Sequence, residues 1–323
     1  MQKIYITRKI PESGLNLLKE KGYEVIVNPD DKVLTGEELV SVLSGQNYDA
    51  VLCLLTDKIN DSVFEAVGSK CKIFANYAVG YDNIDLMAAK SRGIVITNTP
   101  DVLTETVAEH TVALMLAISH RVAEADKFVK EGKYYGWEPM LLLGSDFSHK
   151  TVGIIGLGRI GSRVAYHAYN GFNAKIIYYD IKKNENFEKE FNAEYKENID
   201  DLLKEADFVS LHVPLLSSTR HLINKDRLAL MNPTAYLINT SRGPIIDEEA
   251  LVFALQNKII KGAALDVFEN EPNLTPGLAQ LSNVILTPHI ASATEATREK
   301  MSLLAAQNIV AVLEGMEPLN PVK

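Results

Sequence analysis

The chain contains little cysteine and carries no excess of positive charge. Only Cys53 and Cys71 are cysteines, and both lie in apolar runs, which is typical of buried free thiols and predicts neither a disulfide nor a cysteine metal site. We therefore expect no bound metal. The 33 lysines and arginines are outnumbered by 42 aspartates and glutamates, for a formal net charge of -9. A surface of that sign repels phosphate backbones, so the sequence argues against a nucleic-acid partner.

Long hydrophobic runs are missing too. No uncharged apolar stretch reaches the roughly 18 residues that a membrane-spanning helix needs, and the N-terminal MQKIYITRKIPESG lacks the apolar core of a signal peptide. We expect no membrane partner and a cytoplasmic location. The 323 residues, 46% of them hydrophobic, are enough for two domains that each bury a core of their own.

Short apolar runs alternate with helical patterns along the chain. This rhythm predicts an α/β fold with two doubly wound parallel sheets, because parallel strands need helical crossovers that cover both faces. One set of runs precedes residue 100 and reads KIYITR, YEVIVN, DAVLCLL, KIFANYA and GIVITNT. The other set follows residue 150 and reads TVGIIG, AKIIYYD, DFVSLHV, AYLINT, GAALDVF and NVILT.

Two longer helical patterns connect the two sets. One runs from about residue 102 to 121 and the other from about residue 294 to 315. If the second helix returns to the first sheet, the N-terminal domain is discontinuous. We therefore predict a substrate domain of residues 1–99 plus 289–323 and a dinucleotide-binding domain of residues 100–288, with a ligand cleft between them. The intervening segment EGKYYGWEPMLLLGSDFSH is aromatic-rich and has no clear period.

A glycine-rich motif opens the second set. It follows the run TVGII, begins the helical pattern RIGSRVAYHAY, and reads Gly156, Leu157, Gly158, Arg159, Ile160, Gly161. Such a motif is weak evidence alone, but this context is that of a dinucleotide-binding loop. The first glycine permits a tight turn, the second lets the backbone approach a pyrophosphate, and the third lets helix and strand pack closely. The helix N-terminus offers free N–H groups to the phosphates.

An acidic residue ends the next apolar run. Asp180 closes IIYYD, where a carboxylate can accept both ribose hydroxyls of NAD(H) and repel the additional phosphate of NADP(H). A surface aspartate at a strand end is the alternative. Lys182 and Lys183 follow directly and partly offset that repulsion. We expect a nicotinamide dinucleotide as cofactor, with NAD(H) preferred and weaker use of NADP(H).

Hydride transfer between a nicotinamide and a keto acid makes three demands on side chains. A cation must hold the substrate, a proton donor must act as the hydride arrives, and a carboxylate must keep that donor protonated. Arg242 and His289 each follow an apolar run near the edge where ligands bind in open α/β sheets. Asp266, Glu269 and Glu271 follow GAAL, and spacing alone does not choose among these acids.

Several longer motifs resemble the D-isomer-specific 2-hydroxyacid dehydrogenase family. They are VGIIGLGRIG, INTSRGPIIDEEAL, GAALDVFENEP and NVILTPHIASAT, and the resemblance covers essentially the whole chain. The segments NYAVGYDNIDL and NTPDVLTETVAEHTVALML are most similar to glyoxylate and hydroxypyruvate reductases within the family. The resemblance implies a Rossmann-type cofactor domain, a flavodoxin-like substrate domain, and reversible reduction of a small 2-keto acid to the D-2-hydroxy acid.

The resemblance also assigns roles to individual residues. It implies Arg242 as the catalytic arginine, Glu271 as the catalytic glutamate and His289 as the general acid, with Glu271 bonded to His289. It places Asp266 near the nicotinamide. Further cofactor contacts implied in this way are Gly158, Arg159, Ile160, Pro214, Thr219, Thr240 and Ser292. For the substrate it implies the backbone N–H groups of Val79 and Gly80 around the carboxylate, and Leu55 at the pocket border.

Substrate and assembly follow less directly. Phosphoglycerate dehydrogenases of the family carry a basic residue in the segment that reads CLLT here, so Leu54 and Leu55 argue against a phosphorylated substrate. Trp137 is similar in place to a family tryptophan that enters the partner's pocket, with an ordinary core or interface tryptophan as the alternative. The family implies a homodimer. Alternatives for function are a phosphoglycerate or other D-2-hydroxyacid dehydrogenase, and a non-enzymatic, NAD(H)-sensing corepressor-like protein.

Overall fold

The computed structural model describes residues 1–322, which form two compact units. One unit comprises residues 1–103 together with the segment that begins at Ser292, and the other comprises Thr104–Ala291. The domain limits drawn from the sequence, residues 1–99 plus 289–323 and residues 100–288, stay a prediction. No helix within the described residues is both long and apolar enough to cross a membrane.

Strands and helices alternate through both units. The strands are β1 Lys3–Ile6, β2 Glu24–Val27, β3 Ala50–Cys53, β4 Ile73–Asn76, β5 Val95–Thr97, β6 Thr151–Ile155, β7 Lys175–Tyr179, β8 Glu194–Tyr195, β9 Phe208–Leu211, β10 Tyr236–Asn239, β11 Gly262–Leu265 and β12 Val284–Leu286. The α-helices are α1 Glu12–Glu20, α2 Gly36–Leu43, α3 Asp61–Val67, α4 Leu86–Ser91, α5 Thr104–Ser119, α6 Val122–Lys130, α7 Arg159–Phe172, α8 Glu185–Phe191, α9 Ile199–Glu205, α10 Lys225–Leu228, α11 Glu248–Gln256 and α12 Glu295–Leu313.

The first unit is a five-stranded parallel sheet in the order β2-β1-β3-β4-β5. Two of its three inner strands, β3 and β4, are buried at every position, as expected for strands covered on both faces. The last helix, α12, packs on α1 and on these strands. A Cβ at Gly14 of α1 would lie 2.4 Å from the backbone oxygen of Ser302 in α12, so the two helices approach closely. The C-terminal helix therefore does return to the first sheet.

The second unit is a seven-stranded parallel sheet in the order β12-β11-β10-β9-β6-β7-β8. Counted from β6, this is the Rossmann strand order with one additional strand at the β12 edge. The prediction of two doubly wound parallel sheets is confirmed. The two-residue strand β8 was absent from the sequence prediction, because so short an edge strand has no recognisable period.

Both cysteines lie in the core of the first unit. Cys53 and Cys71 are free and buried. Burial raises the pKa of the Cys71 thiol to about 12 and that of Cys53 well above its ordinary value. The thiols are therefore neutral and unreactive at physiological pH, as the apolar runs around them predicted.

Candidate active site

The glycine loop has the geometry that a dinucleotide requires. Gly156 follows β6 with a φ of 96°, and a Cβ there would lie 2.8 Å from the His212 backbone. A Cβ at Gly161 would lie 2.1 Å from the Gly156 carbonyl oxygen, so the first turn of α7 sits directly on the loop. At Gly158, the N-cap of α7, a Cβ would meet no atom within 4 Å. The space above the helix N-terminus is open, and these residues fit a pyrophosphate there.

Asp180 lies beside this loop at the carboxyl end of β7. Its Oδ2 accepts a hydrogen bond from the Leu157 N–H at 2.7 Å, and its Oδ1 accepts one from the Lys182 N–H at 3.3 Å. The carboxylate is thereby fixed next to the glycine loop, where the adenine ribose of a dinucleotide would lie. Lys182 is exposed, and Lys183 is 3.5 Å from Glu188.

The register of the last three strands brings the predicted catalytic residues together. Asn239 of β10 pairs with Leu265 of β11, which pairs with Leu286 of β12. Three loops therefore leave the sheet side by side at the same level. Arg242 and His289 each lie three residues beyond a strand end, and Glu271 lies further along the loop between them.

His289 and Glu271 form a hydrogen-bonded pair. His289 Nδ1 lies 3.1 Å from Glu271 Oε2, and Glu271 Oε1 accepts from the Phe268 N–H at 2.9 Å. Burial on its own raises the pKa of the Glu271 carboxyl, but the hydrogen bond and charge of His289, the Phe268 N–H and the charge of Arg242 bring it below the ordinary value. Glu271 is thus ionised near neutral pH and accepts a hydrogen bond from the Nδ1–H of His289. This leaves Nε2 as the reactive nitrogen.

Arg242 lies in a loop that a buried asparagine holds. Asn239 is fully buried. Its Nδ2 donates to the Arg242 carbonyl at 2.9 Å, and its Oδ1 accepts from the N–H and the hydroxyl of Ser241. The Arg242 guanidinium donates to the Ser241 carbonyl at 2.8 Å. Asn239 was not among the residues predicted from the sequence, although an asparagine at the end of a buried strand is a signal for such a role.

Gly243 lets the arginine loop contact the glutamate loop. A Cβ at Gly243 would lie 1.9 Å from the Phe268 carbonyl carbon and 2.4 Å from the Glu269 nitrogen. The next residue after Arg242 is therefore in backbone contact with the segment that leads to Glu271. Any larger residue at this position has to separate the two loops.

Asp266 holds the loop that carries His289. It is fully buried. Its Oδ1 accepts from the Thr287 hydroxyl and the Ile290 N–H, and its Oδ2 accepts from the Ala291 N–H, at 2.6 to 2.9 Å. Burial on its own raises the pKa of this carboxyl, but these bonds and one from His110 lower it below the ordinary value. His289 itself has a φ of 54° and donates its N–H to the Asp266 carbonyl. Its backbone is therefore held in the left-handed region, which is uncommon for residues other than glycine.

Glu269 has a different set of partners. Its Oε1 lies 2.5 Å from His221 Nε2, and its own N–H donates to the buried carboxylate of Glu248 at 2.6 Å. Of the three acids that spacing left open, only Glu271 places its carboxylate against the His289 imidazole. His110 lies 3.4 Å from the Thr287 hydroxyl and 3.6 Å from Asp266 Oδ1. It supports the histidine loop from α5.

The remaining predicted residues are spread over both units. In the second unit, Thr219 donates to the Pro214 carbonyl at 2.7 Å, and the Thr240 hydroxyl lies 2.9 Å from that of Thr111. Trp137 is 82% exposed, which excludes a core role within the chain. In the first unit, Leu55 follows β3, and Val79 and Gly80 follow β4. Ser292 is the first residue of the C-terminal segment of this unit.

Side chains that commonly bind metals do not cluster in the described part of the chain. Across residues 1–322, no group of three or more His, Cys, Asp or Glu side chains is placed to hold a metal ion. The predicted catalytic residues of the second unit are instead one cation, one ionised acid and one imidazole.

Comparison with known proteins agrees with this geometry. Residues 112–291 match the family model for the NAD binding domain of D-isomer specific 2-hydroxyacid dehydrogenases. A glyoxylate reductase of Thermofilum pendens is 48% identical over 98% of this chain and 93% of its own length. A crystal structure of a Thermus thermophilus protein is 41% identical, with a TM-score of 0.92 and full coverage of both chains.

A third relative carries bound ligands. The NADPH-dependent glyoxylate/hydroxypyruvate reductase of Sinorhizobium meliloti, solved with NADP and malonate, is 34% identical with a TM-score of 0.88, over 99% of this chain and 96% of that one. These matches confirm the resemblance drawn from the sequence motifs. The chain belongs to the D-isomer specific 2-hydroxyacid dehydrogenase family of NAD-dependent oxidoreductases.

Proposed function

We propose that this chain catalyses the reversible, NADH-dependent reduction of a small 2-keto acid, glyoxylate or hydroxypyruvate. The observation that carries the proposal is the pair of His289 Nδ1 and Glu271 Oε2 at 3.1 Å, on loops adjacent to that of Arg242. The names of the Thermofilum pendens and Sinorhizobium meliloti relatives support the choice of substrates.

Each side chain has one task in the proposed reaction. Bound NADH supplies the hydride. The Arg242 guanidinium, a fork of donors, contacts the keto acid and draws electron density toward the carbonyl oxygen. His289 Nε2 delivers a proton to that oxygen, and Glu271 holds the imidazole in the required tautomer and stabilises its positive charge. Asp266 and Asn239 fix the two loops so that these groups are preorganised.

Replacing Glu271 by glutamine should move the pH profile. The pKa of Glu271 lies below its ordinary value, so its negative charge is present throughout the working pH range and favours the protonated imidazole. Without that charge, the proton needed for reduction is lost at lower pH. We expect the alkaline limb of the reduction profile to shift to lower pH, because the neighbouring negative charge is gone. The acid limb of the reverse oxidation should shift in the same direction.

The measurement is the pH dependence of kcat/KM in both directions. Glu269→Gln is the matched control, because Glu269 lies two residues away and pairs with His221 instead of His289. If Glu271→Gln leaves both limbs where they are in the wild type, Glu271 does not tune the proton donor.

NAD(H) is the proposed cofactor, because Asp180 occupies the ribose end of the loop. Its carboxylate, held by the Leu157 N–H, would lie where NADP(H) carries its additional phosphate. We expect Asp180→Ala to raise the ratio of kcat/KM for NADPH to that for NADH by roughly tenfold or more, since about 1.4 kcal/mol of repulsion corresponds to that factor. Lys182 would then serve the phosphate.

Paired kinetics with NADH and NADPH test this preference. Asp200→Ala is a suitable control, because Asp200 lies in α9 of the same unit and contacts Arg227. An unchanged ratio in Asp180→Ala would place cofactor selection elsewhere. The control matters because a relative in this family uses NADPH.

An unphosphorylated substrate is proposed because the loop after β3 contains Leu54 and Leu55 where a phosphate-binding enzyme needs a cation. Absorbance at the NADH band, followed with glyoxylate, hydroxypyruvate and a phosphorylated hydroxypyruvate, tests both substrate class and activity. We expect turnover with the first two compounds. NADH binding without turnover of any small 2-keto acid would overturn the proposal and favour a sensing role.

We also propose a homodimer formed through the second unit. Large apolar side chains are exposed on α6 and on the segment that follows it, namely Val122, Val129, Tyr134, Tyr135, Trp137, Met140 and Leu143. A concentration of exposed apolar side chains of this kind marks an interface. Light scattering of the purified protein gives the mass, and a monomer would contradict the proposal. A cytoplasmic location stays a prediction from the sequence.

A further inference from the structure

The turn after β4 has its backbone orientation fixed from one side. Three successive carbonyl oxygens each accept one hydrogen bond of 2.8 Å. The Ala78 oxygen accepts from the Thr99 N–H, the Val79 oxygen from Asn98 Nδ2, and the Gly80 oxygen from Asn76 Nδ2. Two of these three donors are side-chain amides of asparagines.

This pattern determines where the following N–H groups point. The peptide bonds of this turn are trans, and in a planar trans peptide the C=O and the next N–H point in opposite directions. The N–H groups of Val79, Gly80 and Tyr81 are therefore directed away from Thr99, Asn98 and Asn76. Within residues 1–322, none of these three N–H groups has a hydrogen-bond acceptor. We call these three consecutive donors the nest, since such an arrangement binds anions.

The two asparagines are themselves held. Asn76 is fully buried at the end of β4, and its Oδ1 is 3.4 Å from Asn83 Nδ2. Asn83 Nδ2 also donates to the Leu54 and Asp57 carbonyls at 3.1 Å. The backbone of Asn98 donates its N–H to the Asn320 carbonyl at 3.3 Å. The side-chain amide of Asn76 is therefore fixed on the Gly80 carbonyl, and Asn98 is fixed at its backbone N–H.

We propose that Asn98 is a positioning residue for substrate: by holding the Val79 carbonyl, its side-chain amide aims the Gly80 N–H at the carboxylate of the 2-keto acid. Asn76 has the same role for the Tyr81 N–H, through the Gly80 carbonyl. A carboxylate is the fitting ligand because the nest offers N–H donors only, and charge-assisted hydrogen bonds to such an anion are strong. This inference rests on the proposed function for the identity of the substrate.

The test compares Asn98→Ala and Asn98→Asp with the wild-type enzyme. Alanine removes the hydrogen-bond donor to the Val79 carbonyl, and aspartate places a second acceptor against that carbonyl. We expect KM for glyoxylate to rise roughly tenfold in the alanine variant, the factor for about 1.4 kcal/mol, and further in the aspartate variant. The change in kcat should be smaller, since a carboxylate contact made before and during hydride transfer contributes uniform binding. Kd for NADH should stay at the wild-type value.

Asn28→Ala is the matched control. Asn28 lies in the same unit and is buried, and its Nδ2 likewise donates to a backbone carbonyl, that of Thr7, at 3.1 Å. It should lower the melting temperature by a similar amount without changing KM. If Asn98→Ala moves KM no more than Asn28→Ala does, the residue is merely structural and the inference is wrong. Asn76→Ala is the second variant should Asn98→Ala fail to fold.

A binding experiment separates this inference from the proposed function. Oxamate, an unreactive carboxylate, is titrated into ¹⁵N-labelled protein saturated with NADH while the Val79, Gly80 and Tyr81 amide signals are recorded. We expect these signals to shift in the wild type and to need a higher oxamate concentration in Asn98→Ala. Signals that do not move would overturn the nest even if glyoxylate is reduced. Signals that move in an enzyme without glyoxylate turnover would overturn only the proposed substrate.

Discussion

Replacing His289 by alanine is expected to lower kcat for glyoxylate reduction by roughly 10²–10⁴-fold, the usual contribution of a positioned proton donor. The imidazole that pairs with Glu271 is then missing, and Nε2 no longer delivers a proton to the carbonyl oxygen. The affinity for NADH should change little, because the glycine loop and Asp180 lie on other strands of the sheet. Stopped-flow measurement of the hydride-transfer step and fluorescence titration of NADH give the two quantities.

The backbone at His289 calls for a second variant. His289 has a φ of 54°, a left-handed conformation that asparagine tolerates better than alanine. His289→Asn therefore keeps the loop with less strain and still offers an amide N–H to Glu271, but it has no titratable nitrogen. We expect it to be as inactive as the alanine variant and more stable. His120→Ala, at an exposed histidine of the same unit, is the control, and full activity in either His289 variant would remove His289 from the chemistry.

The fold was accessible from the sequence because it depends on local periods. Eleven of the strands coincide with apolar runs such as KIFANYA and GAALDVF, and helices fill the segments between them. Strand β8 was missed because two residues carry no period. Right-handed crossovers limit the possible strand orders, but the same β–α rhythm gives two different orders in the two units, so the order itself is not contained in the rhythm.

The site was accessible only in part. His289 and Arg242 could be proposed from their positions after apolar runs, but the sequence left three acids open near Glu271. The choice depends on which carboxylate reaches the imidazole, and that depends on the path of two loops. Asp266 turns inward to hold the residues from Thr287 to Ala291, and Glu269 turns toward His221. No local sequence pattern distinguishes the roles of Asp266, Glu269 and Glu271, because each role depends on a tertiary contact.

The supporting polar residues were harder still to foresee. Asn239 holds the loop that follows its own strand, whereas His110 and Asn98 act on segments that lie far away in sequence. Asn239 is buried and the other two are half-buried, and each hydrogen bond favours one conformation of the segment that it holds. Their role in holding the site is evident only from the hydrogen bonds of the folded chain, and these cannot be read from the sequence.

Gly243→Ala should be nearly as damaging as loss of the proton donor, although glycine has no side chain to take part in the reaction. The new Cβ would lie 1.9 Å from the Phe268 carbonyl carbon, and its nearest neighbours are backbone atoms, which leave it no flexible side chain to displace. The loop of Arg242 has to move away from the loop that leads to Glu271. A displacement of about 1 Å costs roughly 10²-fold in rate, so we expect kcat/KM to fall by at least that factor.

Gly171 provides a matched control for this prediction. At Gly171, in the last turn of α7, a Cβ would meet no atom within 4 Å, and alanine in a helix is favoured over glycine by up to roughly 0.5–1 kcal/mol. Gly171→Ala should therefore be as active as the wild type and slightly more stable, whereas Gly243→Ala should keep its NADH affinity and lose activity. If Gly243→Ala instead turns over glyoxylate at the wild-type rate, the contact between the two loops does not set the geometry of Arg242 and Glu271. Because the substitution changes no charge and removes no donor, its effect on rate measures that geometry alone.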